Sequence, residues 1–175
     1  MKPEVLDTAV TLQLLQGGAE ELAELQRVLE GAPSYSHIAT GAPPEPGRAL
    51  DLYTMLPDGK DRSDKFVFGI HVAGGMVGCV DIIRGFPDQA TAFIGLLLIS
   101  ETAQGRGVGR AGYRAAENIV RGWDGCRHVR LGVLRNNDGA QAFWRRLGFA
   151  ETGEVRPYQH GPVSTDILIM TKTLG

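Results

Sequence analysis

The sequence predicts an α/β fold, with helices flanking a mixed, mostly antiparallel central sheet. Residues 66–72 and 77–83 alternate apolar with other residues on either side of Gly74 and Gly75, a pattern typical of an antiparallel hairpin. Residues 92–99 form an unbroken apolar run of strand length, which indicates a strand buried on both faces. A helical stretch separates this run from a further apolar strand at residues 128–134, and such connections favour a parallel pair.

The elements before the hairpin are a short strand and one clear helix. Residues 9–15 are predicted to form the strand, and residues 19–30 the helix, which ends at Gly31. Its leucines share one face, and its glutamates lie near the positive N-terminal end. Prolines interrupt residues 32–65, where only residues 48–55 indicate a short helix. That stretch is either a substrate-binding loop or mobile surface, and both interpretations stay open.

The elements after the apolar run complete the sheet and add two helices. The first extends from Val108 to near Gly122, and the second covers residues 138–147 with Gly148 as its cap. Residues 149–155 and 167–174 are the last predicted strands, and the irregular residues 156–166 between them are a second candidate for acceptor recognition. At 175 residues, without a repeat or linker, the chain is expected to be one domain spanning residues 1–175.

Composition excludes several classes of function. A net charge of −2 offers no electrostatic basis for binding nucleic acid or an anionic membrane. No apolar run approaches membrane-spanning length, and residues 1–4 lack the apolar core of a signal peptide. The two cysteines lack C-x-x-C spacing and the four histidines are scattered, so we expect a cytoplasmic protein without a disulfide framework or a metal site.

The stretch between the apolar run and the next helix carries the strongest functional signal. It reads Gln104-Gly105-Arg106-Gly107-Val108-Gly109-Arg110. Glycines let the backbone approach a ligand closely, and the first amides of a helix have no partner within the helix. Together with the helix dipole and the two arginines, these amides are typical of a site for an anion such as a pyrophosphate.

Several motifs compete for this stretch. A Walker A loop requires Gly-Lys-Ser/Thr before the helix, and this triplet is absent from the sequence. Residues 107–112 match the letters of the dinucleotide fingerprint G-x-G-x-x-G, so an NAD-binding module is one alternative. Too many residues separate the strand from the first glycine for that motif. An Asp or Glu that would bind the ribose about 20 residues further on is also missing from the sequence. A G-x-S-x-G elbow for an acyl hydrolase is also absent.

Two further patterns resemble a known family. Gln104, Gly107 and Gly109 match Q/R-x-x-G-x-G/A, and residues 137–149 are similar to N-x-x-A-x-x-F/L-Y-x-x-x-G-F. Between about Phe93 and Phe149, the chain resembles the GNAT superfamily of acyl-CoA N-acyltransferases. The resemblance implies an N-acetyltransferase that moves an acetyl group from acetyl-CoA to a primary amine of a small molecule, protein N-terminus or lysine.

The resemblance also implies which residues bind coenzyme A. Backbone at the end of the apolar run would pair with the pantetheine arm, glycine-loop amides would hold the pyrophosphate, and Asn137 would help to fix the arm. The predicted set is Leu97, Leu98, Ile99, Gln104, Gly105, Arg106, Gly107, Val108, Gly109, Arg110, Asn137, Ala140, Phe143 and Arg146. No metal is implied, and the protein would be a monomer or a homodimer.

Two departures from the family pattern concern catalysis. Family members often carry an acid on the central strand, but residues 92–99 contain none, so Asp81, Glu101 and Tyr158 are only candidates for the base. Trp144 stands where many relatives have a tyrosine that protonates the leaving thiolate. An indole N–H has no useful acidity, so we expect Trp144 to be a partly buried packing residue. A coenzyme A-binding sensor without catalysis is therefore the main alternative.

Overall fold

The sheet has seven strands in the computed structural model, which describes residues 9–175. They are β1 (Val10–Leu14), β2 (Lys65–Val72), β3 (Gly75–Arg84), β4 (Thr91–Ile99), β5 (His128–Leu134), β6 (Ala150–His160) and β7 (Val163–Thr173). Their order in space is β1-β2-β3-β4-β5-β7-β6. Neighbouring strands are antiparallel except β4 and β5, which are parallel. This confirms the predicted mixed, mostly antiparallel sheet.

Five α-helices cover the two faces of this sheet within the described residues. They are α1 (Ala19–Glu30), α2 (Pro33–Thr40), α3 (Arg48–Thr54), α4 (Val108–Arg121) and α5 (Asp138–Arg146). One core contains side chains of α1, α3 and one face of the sheet, and the other contains side chains of α4, α5 and the opposite face. None of the helices in residues 9–175 is long and apolar enough to span a membrane.

The first hairpin turns one residue earlier than predicted. Its central residues are Ala73 and Gly74, with φ angles of 51° and 82°, and Val72 pairs with Gly75. Positive φ at both positions defines a type I′ turn, whose twist suits a two-residue hairpin. Tertiary pairing of the strands therefore places a non-glycine residue in the left-handed region, which the sequence pattern did not indicate.

Both stretches predicted to be irregular contain regular structure. Residues 32–65 hold α2, which starts with Pro33 at its first position and ends at the left-handed Gly41, as well as α3. The prediction for residues 156–166 was wrong, because β6 continues to His160 and β7 begins at Val163. Side chains of β6 are exposed almost throughout, so the strand lacks the apolar alternation from which strands are predicted.

A β-bulge divides β4 into two parts. The pairing of β3 with β4 shifts register so that Gly95 lies between the partners of Asp81 and Ile82. Residues 91–94 also pair with β5, but the parallel ladder ends at Ile94 and Leu131. Beyond that point β4 and β5 separate, which leaves two facing strand edges without a strand partner among the described residues.

Candidate active site

The gap between the separated strands opens into a cavity of about 900 Å³. Ligand sites in proteins have this order of size. The cavity extends from the start of α4, past the ends of β4 and β5, to α2. Its lining comprises Ser34, Tyr35, Ile38, Ile94, Gly95, Leu96, Leu97, Leu98, Ile99, Gln104, Gly105, Gly107, Val108, Gly109, Arg110, Leu131, Gly132, Val133, Leu134, Asn137, Gly139, Ala140, Phe143, Trp144, Arg146 and Leu147.

The glycine loop shapes the α4 end of the cavity for an anion. Gly105 and Gly107 have φ angles of 76° and 80°, and no atom lies within 4 Å of where a Cβ would stand. The amide of Ala111 is bonded to the carbonyl of Gly107, so the amides before it precede the regular helical bonds. These amides, the positive helix end and Arg110 together favour a phosphate group at this end.

Two amide side chains fix the backbone around this end. The Gln104 side chain donates from Nε2 to the carbonyl of Ile99 at 2.8 Å, which holds the loop against the end of β4. The Asn137 Oδ1 accepts from the backbone N–H of Ala140 at 3.1 Å and caps α5. Both residues line the cavity, but each also has a structural role that the sequence did not indicate.

Helix α5 packs its aromatic face against α4. A Cβ on Gly109 would lie 3.4 Å from the Phe143 ring, so this glycine lets the two helices approach closely. Trp144 is only 7% exposed, and its ring packs edge-on against Tyr113 and Phe149. The expectation of a partly buried Trp144 is therefore confirmed.

The two arginines at the end of α5 make different contacts. Arg145 forms an ion pair with Glu151, whereas Arg146 lines the cavity. Arg146 was the preferred candidate for a ligand contact from its position after the aromatic residue, and it is the one that faces the space where a ligand would lie.

Helix α2 forms the opposite wall of the cavity and is held by three contacts. Glu101, just after β4, accepts a hydrogen bond from the backbone N–H of Ser34 at 2.8 Å. The Tyr158 hydroxyl on β6 donates to the carbonyl of Ala39 at 2.8 Å, and the Asn136 side chain donates to the carbonyl of Ile38. The wall is therefore fixed to the loop after β4 and to the C-terminal hairpin.

The carboxylate of Asp81 lies behind the wall of the cavity. Its Oδ1 is 2.9 Å from Nζ of Lys65, and both side chains are buried. Its Oδ2 fills the space next to Gly95, where a Cβ would lie only 2.5 Å from that oxygen. Burial raises the pKa of Asp81 above its usual value, and the positive charge of Lys65 opposes this shift. Asp81 thus supports the bulge from which β4 turns away from β5.

The cavity collects most of the residues that the sequence singled out. Every residue predicted to bind coenzyme A lines it except Arg106, although binding itself stays a prediction. The catalytic candidates Asp81, Glu101 and Tyr158 lie outside the lining. In the described residues, no group of three or more His, Cys, Asp or Glu side chains is placed to hold a metal.

Sequence reasoning gave residues 32–65 as a possible substrate-binding stretch but missed the helix α2 within it, and it missed the end of β5 as part of the lining. The signal for α2 was Pro33, since proline is favoured at the first position of a helix, followed by Tyr35 and Ile38 at helical spacing. The end of β5 could have been found from the prediction of a parallel neighbour for β4. The end of β5 and α2 line the same cavity only because β4 and β5 separate beyond Ile94.

Comparisons with known proteins agree with this geometry. The family model described as Acetyltransferase (GNAT) family matches residues 32–149. An acetyltransferase from Thermus thermophilus superposes with a TM-score of 0.69 at 29% identity, covering 94% of this chain and 97% of that one. A GNAT family acetyltransferase from Elizabethkingia anophelis with acetyl-CoA bound superposes at 0.65 and 14% identity, covering 96% and 99%. A comparison with curated proteins returned no match.

Proposed function

This chain belongs to the GNAT acetyltransferase family, and from this premise we propose that it transfers an acetyl group from acetyl-CoA to a primary amine. The observation that supports this most directly is the cavity through the sheet, which has an anion-binding helix end on one side and α2 on the other. We further propose that residues 1–175 act as one domain, since residues 9–175 share a single sheet.

The residues of the cavity fit coenzyme A in shape and charge. The open space in front of Gly105 and Gly107 suits a pyrophosphate held by backbone amides, with Arg110 as an additional cation. The free edge of β4 at residues 97–99 suits the amide groups of a pantetheine arm, which would add to the sheet like a strand. Gly109 lines the cavity next to Phe143, so a charged side chain at position 109 would lie beside the glycine loop.

In this proposal the protein positions the two substrates and stabilises the charge that develops during the reaction. Acetyl-CoA supplies an activated acetyl thioester. Backbone amides of β4 near Leu98 or Ile99 stabilise negative charge that develops on the acetyl oxygen. The amine enters from the α2 side, past Tyr35 and Ile38, and must be neutral to attack. As the C–N bond forms and the C–S bond breaks, the nitrogen loses a proton and the leaving thiolate, with a pKa near that of cysteine at about 8.5, takes up a proton without an acid at position 144.

The test begins with binding of acetyl-CoA to the purified protein. At a hundred times its dissociation constant, it should stabilise the fold by about 2.7 kcal/mol, a melting shift of roughly 5 to 10 °C. Gly109→Asp should abolish the shift by placing a carboxylate beside the pyrophosphate. Gly18→Asp is a matched control on open surface and should leave the shift intact. An unchanged melting curve of the wild type at millimolar acetyl-CoA contradicts the proposal.

A sensor that binds coenzyme A without catalysis is the second candidate. Trp144 in place of tyrosine and the position of Asp81 behind the wall both favour it. Release of free thiol from acetyl-CoA in the presence of an amine panel separates the candidates, because a sensor binds without turnover. The NAD-binding alternative loses its structural basis, since β4 and β5 form the one parallel pair of the described sheet, unlike a doubly wound fold.

A further inference from the structure

The charged side chains on the cavity wall are cationic. Arg110 lies in the first turn of α4 and Arg146 in the last turn of α5, and the remaining lining consists of backbone and apolar or neutral side chains. Five leucines of β4 and β5, at positions 96, 97, 98, 131 and 134, belong to this lining. An ammonium group entering this space therefore leaves water for apolar walls, and the lining holds no carboxylate to pair with it.

The carboxylates nearest the wall are committed elsewhere. Asp81 on β3 is held by Lys65 of β2 and packed against Gly95. Glu101, after β4, accepts the backbone N–H of Ser34. Each carboxylate therefore stabilises part of the wall from outside, and neither faces the space in which an amine would be bound.

The other titratable groups around α2 do not supply a base. Burial raises the pKa of Tyr35, although the charge of Arg48 on α3 opposes this, so the phenol is neutral at pH 7. Tyr158 on β6 donates its hydroxyl hydrogen to the carbonyl of Ala39. His37 and His160 are exposed.

These surroundings favour the neutral form of a bound amine for two reasons. Transfer into apolar surroundings disfavours the charged form, and the lining holds no carboxylate that would compensate an ammonium group for its lost hydration. The cavity thus lowers the pKa of the bound amine, which releases its proton to water before it attacks, and this suffices only for an amine of low basicity. At pH 7 an α-amino group of pKa about 7.8 is roughly 10% neutral, whereas an alkyl amine of pKa about 10.4 is neutral roughly 300-fold less often.

We propose that the acceptor is a weakly basic amine, typified by the α-amino group of a peptide or an amino acid amide, in a molecule with no further positive charge. This inference rests on the proposed acetyl transfer and names the class of its acceptor. Polyamines and lysine side chains are poor acceptors, because an alkyl amine is rarely neutral at pH 7 and the lining holds no carboxylate to pair with an additional ammonium group.

Two isomers of one compound test this directly on the wild-type protein. Nε-acetyl-lysinamide offers only an α-amine and Nα-acetyl-lysinamide offers only an ε-amine, with the same atoms otherwise. With saturating acetyl-CoA at pH 7, thiol release should give a kcat/KM at least roughly 100-fold higher for the α-amine, in line with the ratio of neutral fractions. As pH rises, kcat/KM should level off near pH 8 for the α-amine but continue to rise beyond pH 9 for the ε-amine.

The outcomes separate this inference from the proposed function. A kcat/KM at pH 7 that is equal for both isomers, or higher for the ε-amine or for spermidine, overturns the inference and leaves acetyl transfer intact. Thiol release with none of these amines, while acetyl-CoA still raises the melting temperature, overturns acetyl transfer and the inference with it.

A charge placed in the wall tests the electrostatic argument. Ile38→Glu introduces a carboxylate at the α2 end, and Ile38→Gln introduces a neutral group of the same size. The preference for the α-amine isomer should fall at least about tenfold in the glutamate variant relative to the glutamine variant, since a carboxylate stabilises the ammonium and can accept its proton. An equal preference in two variants of similar melting temperature contradicts the argument.

Discussion

Two buried carboxylates on opposite faces of the sheet have pKa values that are shifted in opposite directions. Asp81 lies on the face covered by α1 and α3, with Lys65 as its partner. Glu117 lies on α4, where Lys172 of β7 binds one carboxylate oxygen at 2.8 Å and Arg121 binds the other at 2.6 Å. Burial raises the pKa of both, but only at Glu117 do the neighbouring donors overcome it.

The difference lies in how many donors each carboxylate has. At Glu117, hydrogen bonds from Lys172 and Arg121 outweigh burial and lower the pKa to about 2. At Asp81 burial is the larger effect, and Lys65 only reduces it. The free-energy cost of burying a charge is therefore fully offset at Glu117 and only partly offset at Asp81. The incompletely compensated carboxylate is the one beside the bulge that opens the cavity.

The largest expected effect comes from removing the partner of Asp81. Lys65→Met should lower the free energy of unfolding by about 3 to 5 kcal/mol at pH 7, because it leaves a buried charge unpaired. The loss should be smaller at pH 5, where Asp81 can take up a proton. Denaturant unfolding at the two pH values measures both.

The double variant Lys65→Met/Asp81→Asn is the control for this experiment. It keeps the shape of both side chains without the charge, and it should recover most of the lost stability. A double variant no more stable than Lys65→Met would show that packing, and not charge, accounts for the loss.

The next largest effect is the change in the free energy of unfolding with pH that Glu117 causes. Its folded pKa of about 2 lies below the value of 4.5 expected without these contacts, so its contribution is complete above pH 4.5 and is lost as pH falls toward 2. The shift corresponds to about 3 kcal/mol. Glu117→Gln should be less stable by about this amount at pH 7 and should show a flatter stability curve from pH 4.5 to pH 2.

Asp81 should contribute with the opposite sign. Because its folded pKa is raised above 3.8, its contribution is complete below pH 3.8 and is lost as pH rises through the folded value. The wild type should lose stability as pH rises from 3.8, and this loss should be absent from Asp81→Asn. The wild type should also lose stability as pH falls from 4.5, and this second loss should be absent from Glu117→Gln. Parallel changes in the two unfolding profiles would contradict the assigned directions.

A smaller effect is expected where Asp81 meets the bulge. Gly95→Ala places a Cβ 2.5 Å from Oδ2 of Asp81, and the strain should cost about 1 to 3 kcal/mol of stability. Gly139→Ala is the control, because no atom lies closer than 3.9 Å to its added Cβ and it lies in the first turn of α5. Thermal unfolding should show a loss for Gly95→Ala and none for Gly139→Ala.

The smallest effect concerns Trp144, which packs against Tyr113 near the Glu117 cluster. Trp144→Phe keeps an aromatic ring but removes the indole N–H and part of the apolar bulk, and turnover should stay within about tenfold, or 1.4 kcal/mol of barrier. Trp144→Tyr restores the hydroxyl usual in the family and shows whether protonation of the thiolate limits turnover. A thousandfold loss in Trp144→Phe, with normal melting and acetyl-CoA binding, would assign a catalytic role to the indole.

The features that could be predicted from the sequence are those formed by neighbouring residues. Helix α1 was predicted with the observed bounds, because its apolar spacing and its stop at Gly31 lie within one short stretch. The anion-binding character of residues 104–110 likewise follows from a buried strand, three glycines and a helix start in sequence. Strand β6 was missed beyond residue 155, because its exposed polar residues form a strand only through pairing with β7.

The sequence by itself determined the helices other than α2, the first hairpin, the parallel pairing of β4 with β5 and the residues that line the α4 end of the cavity, since propensity, apolar period and helix-end chemistry are local properties. Only the tertiary structure decided that Gly95 is bulged, that β4 leaves β5 after Ile94, and that α2 forms the opposite wall. These features depend on register and on contacts between distant residues. The same holds for the two carboxylates, because the pKa of each depends on donors from other elements, such as Lys65 for Asp81 and Lys172 for Glu117.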